Sequence, residues 1–157
     1  MNALVVYYTR FGHTRSVAEA IAERLQSAGS VDVIGAERVT AQCFDGIDLL
    51  VVGTPTHVAN LPKELRSILD GLPKGALKGV RIAAFDTSYR MNWFVNLFTA
   101  AKPLCRKLRQ LGGKQLVSSQ SFFVVEKEGP LHEGEMERAR TWAGAILVNY
   151  RRFSEHR

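Results

Sequence analysis

The chain has 157 residues, 46% of them hydrophobic and 23% charged, a balance that excludes both a disordered chain and a membrane-embedded one. Its two cysteines, Cys43 and Cys105, are too few for a disulfide framework and read as reduced thiols, Cys105 as a small core residue. The net charge is +6, and the excess sits late: residues 1–101 carry ten Lys/Arg against nine Asp/Glu, residues 102–157 eleven against six. No apolar run reaches the length of a spanning helix, and the amino terminus has neither a basic flank nor a small-residue cleavage site. The expected address is cytoplasmic, and the expected organisation is one domain over residues 1–157. The late basic surplus lacks any nucleic-acid motif, so it reads as a solvated helix face with a preference for an acidic partner.

Along the chain, short runs rich in Val, Ile and Leu predict strands at Leu4 to Tyr8, Val31 to Ile34, Leu49 to Val52, Val80 to Phe85 and Leu116 to Val125. Helical spacing fills the intervals. Val17, Ile21, Ala22 and Leu25 share one face; Leu61, Leu65, Ile68 and Leu72 share a second, ending before Pro73. A third helix is predicted through Leu97, Ala101, Leu104, Leu108 and Leu111, with Pro103 either a kink or the mark of its true start. The fourth aligns Met136, Ala139, Ala143, Ile146, Leu147 and Tyr150, and its end is expected to fray into the basic tail. Residues 36–46 show no clear helix. Strands that are apolar on both faces and alternate with helices specify a parallel sheet covered on both sides, a doubly wound α/β fold.

Ligands in such folds bind beyond the carboxyl ends of the strands. Three strand ends there are rich in small, polar and aromatic residues. The first, "TRFGHT", follows strand one and lacks both the Gly-x-Gly-x-x-Gly and the Gly-x-x-x-x-Gly-Lys-Ser/Thr fingerprints. Thr9, Gly12 and Thr14 at a helix start form a cradle for a phosphate monoester, with Arg10 as added charge if its side chain turns inward. The second, "GTPTHVANLP", sets Thr56 and His57 at the sheet edge, with Asn60 and Pro62 opening the next helix. The third, "FDTSYRMNW", offers Tyr89 and Trp93 as planar surfaces. A phosphate cradle beside a planar-ring site suits a mononucleotide with a large aromatic head.

These three loops resemble the flavodoxin family over essentially the whole chain. Thr9, Gly12 and Thr14 match its phosphate loop, with Phe11 where a third hydroxyl is usual. "TRFGHT" and Gly53-Thr54-Pro55-Thr56 are similar to the flavodoxin-like quinone reductases of the tryptophan-repressor-binding-protein type. "DTSY" resembles the Asp-Ser-Ser-Tyr segment whose Tyr stacks on the flavin, a role that falls by position to Tyr89, while His57 stands where many members carry Trp. The resemblance implies a five-stranded parallel sheet in the order 2-1-3-4-5, without a long insertion in the fifth strand. It also implies FMN as cofactor, held by Thr9, Arg10, Phe11, Gly12, His13, Thr14, Pro55, Thr56, His57, Val58, Ala59, Asp86, Thr87, Tyr89, Arg90 and Trp93.

The function implied is electron transfer with redox partner proteins, acidic ones given the basic charge of this chain. Two alternatives stand beside it. One is an FMN-dependent oxidoreductase acting on a quinone or porphyrinogen; the other is an interaction module without FMN, motivated by Phe11 and His57. No residue is assigned as catalytic or as a metal ligand, and neither nucleic acid nor a membrane span is expected.

Overall fold

The computed structural model of the chain describes residues 1–56, 60–89 and 99–155. Six strands form one sheet: β1 (Asn2–Tyr7), β2 (Ser30–Gly35), β3 (Leu49–Pro55), β4 (Arg81–Tyr89), β5 (Lys114–Gln115) and β6 (Gln120–Val124). The order is β2-β1-β3-β4-β5, with β6 continuing on the outer edge of β4, and every ladder is parallel. This is the doubly wound order expected. The helices are α1 (His13–Leu25), α2 (Lys63–Asp70), α3 (Ala101–Gln110) and α4 (Glu135–Ser154).

Period-two alternation along the central strands builds two separate cores. Ala3 and Val5 of β1, Leu49 and Val51 of β3, and Ala83 and Phe85 of β4 pack with α1 and α4. Their neighbours Leu4, Val6, Leu50, Val52, Ile82 and Ala84 pack with α2 and α3. At the centre of the first layer Phe85 meets Phe122 and Trp142 edge-on, with ring centroids 5.9 and 6.1 Å away. Gly53 on β3 lies beneath that ring, and a Cβ there would occupy the position of the Phe85 side chain. The glycine of "GTPT" therefore has a packing reason, namely room for a fully buried aromatic.

Two boundaries, in the fifth strand and at the end of the last helix, depart from the sequence reading, and two more settle what it left open. The fifth strand is two short pieces: Arg81 and Ile82 pair with Lys114 and Gln115, and pairing resumes only at Phe85 with Gln120. Residues 116–119 thus cover the span of two β4 residues, Ala83 and Ala84, and bow out of the ladder. Leu116 and Val117 turn instead to the α1/α4 core, and Ser118 offers its carbonyl to the Trp142 indole at 3.3 Å. Pro103 is the third residue of α3, within the first turn, where its missing N–H has no helical acceptor to lose. It marks the start of the helix, and Leu97 lies outside the described residues. The carboxyl-terminal helix runs on through the basic tail to Ser154. Residues 36–46 hold two short 3₁₀ turns, Ala36–Arg38 and Ala41–Phe44.

Both cysteines are free. Cys105 is buried in the α2/α3 core, and that burial pushes its thiol up. Among the described residues, no helix is long and apolar enough to cross a membrane.

Candidate functional site

The first loop is shaped by its own backbone. β1 ends at Tyr7, and the chain reverses through Gly12, whose φ of 89° lies in the left-handed region that favours glycine. The Gly12 amide donates to the Thr9 hydroxyl at 3.0 Å, and the Gly12 carbonyl accepts both the amide and the hydroxyl of Ser16 at 3.0 Å. Thr9 is therefore the internal brace of the turn. No side chain caps the start of α1. The first-turn amides of a helix have no acceptor within it, so this end presents N–H groups and the positive end of the dipole.

That helix start opens into a cleft at the carboxyl ends of β1, β3 and β4, with about 610 Å³ of empty space that continues into open solvent. Arg10, Phe11, His13 and Thr14 from the first loop, Pro55 and Thr56 from the end of β3, and Thr87, Ser88 and Tyr89 from the end of β4 line it. Thr14 and Thr87 are both buried, and their hydroxyls are hydrogen-bonded to each other at 2.7 Å. One hydroxyl donates in that bond, so the pair keeps one hydrogen to give to a ligand. Tyr89 (44% exposed) and Phe11 (51% exposed) stand at the rim as open rings. Arg10 lines the cleft while its guanidinium lies 3.9 Å from Glu64, both partners largely in solvent, a weak pairing.

Of the residues proposed from sequence, Arg10, Phe11, His13, Thr14, Pro55, Thr56, Thr87 and Tyr89 come together here. Thr9 and Gly12 shape the turn behind them. His57, Val58, Ala59, Arg90 and Trp93 lie outside the described residues. Asp86 turns to the other face of the sheet. It is wholly buried, and its Oδ2 accepts the amide of Ala101 at 2.8 Å, holding the start of α3 against β4. Burial pushes its carboxyl up to about 6, against the opposing pull of the Thr99 hydroxyl, the Ala101 amide and the hydroxyls of Ser121 and Ser88. Its Oδ1 has no hydrogen-bond partner among the described residues. Alternation along β4 was the available signal: with Phe85 and Thr87 facing α1, Asp86 faces α3.

Three lining residues were not foreseen: Ser88, Val124 and Lys127. Val124 ends β6, and Lys127 arrives through the segment that follows it. Val125 bonds Pro130 and His132 bonds Phe123 through the backbone, folding the segment back on the strand. The ring Nε2 of His13 donates to the Glu128 carbonyl at 2.7 Å, tying this strap to the first loop. A carbonyl can only accept, so Nε2 carries the hydrogen. Lys127 thereby adds a second cation to the cleft wall beside Arg10. No local pattern in "EKEGP" announces a contact between residues 115 positions apart.

Comparison with known proteins places this geometry. The solved structure of an archaeal flavodoxin superposes with a TM-score of 0.79 at 20% identity, covering 96% of this chain and 99% of the other. The WrbA-like flavodoxin of Agrobacterium tumefaciens gives 0.74 at 24% identity, over 96% and 98%. Among curated sequences, an NAD(P)H dehydrogenase (quinone) of Acidovorax ebreus is 33% identical over 112 residues, 55% of this chain and 56% of that protein. A flavodoxin of Synechococcus elongatus is 27% identical over 109 residues, 69% and 64% of the respective chains. The matched region spans about half the length of the first of these curated relatives. The sequence profile described as Flavodoxin matches residues 5–142, the greater part of the molecule, and the chain belongs to the flavodoxin family.

Proposed function

We propose that the cleft binds FMN and that the protein is a redox protein working in electron transfer. Flavodoxin family members bind FMN, and the residues present fit it. The observation that carries the reading is one juxtaposition: an uncapped helix start, a buried hydroxyl pair and an exposed Tyr89 ring line one cleft. The amides opening α1, helped by the helix dipole, hold a phosphate monoester. Thr14 and Thr87 supply one further hydrogen to it, Arg10 and Lys127 supply positive charge, and Tyr89 offers a face to a flat ring. When bound, FMN supplies the capacity to accept and release electrons at that ring. Redox partner proteins and a cytoplasmic address belong to this reading.

Replacing Thr14 by valine removes one hydroxyl of the buried pair while keeping the shape of the side chain. The FMN dissociation constant is expected to rise about tenfold, the equivalent of roughly 1.4 kcal/mol for one lost hydrogen bond. Fluorescence quenching on titration with FMN reads this directly, and an unchanged constant would remove Thr14 from the phosphate site.

The resemblance to relatives described as NAD(P)H dehydrogenase (quinone) favours a second reading, in which the cleft also admits a quinone. Steady-state reduction of quinones by NADH or NADPH separates the two. Turnover assigns the enzyme, and its absence with a cofactor-loaded protein leaves the carrier.

A further inference from the structure

A basic groove runs along the sheet edge away from the cleft and shares no lining residue with it. Its walls are Lys102, Cys105, Arg106 and Arg109 of α3 against Gln115 and Ser119, and its roughly 440 Å³ of empty space continues into open solvent. The groove follows from the bowed segment 116–119: where the outer strand leaves β4, Ser119 swings toward α3 and the Cys105 thiol closes the bottom. α3 carries four cations and no acid in "AKPLCRKLRQ". Lys107 points elsewhere and is paired with Asp70. Lys102, Arg106 and Arg109 all line the groove, are exposed, and have no carboxylate paired with them among the described residues.

We infer that this groove docks an acidic polypeptide segment. The three cations stand at helical positions i, i+4 and i+7, a row of about 10 Å along the axis at ~1.5 Å per residue. A single phosphate reaches one or two of them. A helix bearing carboxylates at the same spacing meets all three. Among the described residues, no aromatic side chain lines the groove to offer a face on which a nucleotide base would stack. Gln115 and Ser119 supply neutral hydrogen-bonding groups at the rim, as expected where charged pairs are bordered by polar contacts. The net charge of +6 attracts an acidic partner at long range, and the row of three sets its register. The inference does not rest on the cofactor reading of the cleft.

The test uses the whole chain and an alanine-based helical peptide with glutamates at i, i+4 and i+7, with inorganic pyrophosphate as the competing probe. Amide shifts in a ¹⁵N spectrum are expected to cluster at 102–109 and 115–119. A groove variant (Lys102→Glu, Arg106→Glu, Arg109→Glu) is expected to lose about tenfold or more in peptide affinity at low salt. A control with the same change in net charge (Lys63→Glu, Lys74→Glu, Arg151→Glu) is expected to lose much less. All six side chains are exposed, so both variants should fold, which the dispersion of the same spectra checks. Equal losses in the two variants, or shifts spread over other surfaces, would overturn the inference. Tighter binding of pyrophosphate than peptide in the groove would overturn it too, making the groove a small-anion site.

Discussion

Phe85→Ala is expected to destabilise the fold by about 3–5 kcal/mol, the cost of removing a fully buried aromatic and leaving a cavity. Phe85 has no solvent exposure, lies over Gly53, and is the ring on which Phe122 and Trp142 both pack. Those three rings join β4, β6 and α4 in one layer, so the loss spreads beyond one side chain. Gly53 cannot refill the space, having no side chain. For a chain of this length the midpoint of thermal unfolding should fall by roughly 10 °C. Urea denaturation followed by far-ultraviolet circular dichroism measures it, and a loss under 1 kcal/mol would show that the layer is not packed as described.

The second large effect concerns Asp86. Its carboxyl titrates near 6 in the folded protein against an ordinary value of 3.8, because burial disfavours the charged form. The folded state therefore binds the proton more tightly than the unfolded chain does. The stabilising contribution of the neutral acid is complete below pH ~4, declines as pH rises through 6, and is gone above it. Two units correspond to about 3 kcal/mol. Asp86→Asn keeps a carbonyl oxygen for the Ala101 amide and gives the surrounding hydroxyls of Thr99, Ser121 and Ser88 a neutral neighbour. At pH 8 the Asn variant is expected to be more stable than the native chain by up to about 3 kcal/mol. The advantage should vanish below pH 4. Urea unfolding of both proteins from pH 4 to 8 decides it; an Asn variant that is less stable at pH 8 would show that the ionised carboxylate is what holds α3.

These two residues are neighbours on one strand, and together they show what the sequence could and could not say. The alternation "RIAAFDTSY" reads as a buried strand, and the layer assignment of each residue follows from period two alone. Applied to Asp86, the same rule turns it away from Thr87 and from the cleft. Resemblance to a family motif had placed it with the site residues. That the sheet is parallel and covered on both sides was legible because each central strand is apolar on both faces, whereas its order came from the family resemblance. The break in the outer strand was not legible: Leu116 and Val117 continue a hydrophobic run, yet their apolar surface serves the helices on one face rather than the ladder.

In the cleft, Thr14, Thr87 and Tyr89 were visible as hydroxyls and a ring at strand ends. Lys127 was not, because its place depends on His13 holding a carbonyl far along the chain. Phe11 remains at the rim, half exposed, where a phosphate loop more often has a hydroxyl. The Thr14 to Thr87 pair keeps one hydroxyl hydrogen to give in the same cleft.

Whether this cleft holds FMN is decided by the visible spectrum of the purified protein before and after adding FMN, followed by identification of what denaturation releases. A yellow protein with flavin absorption bands is expected, releasing FMN in about one equivalent per chain. A colourless protein that fails to take up added FMN would contradict it.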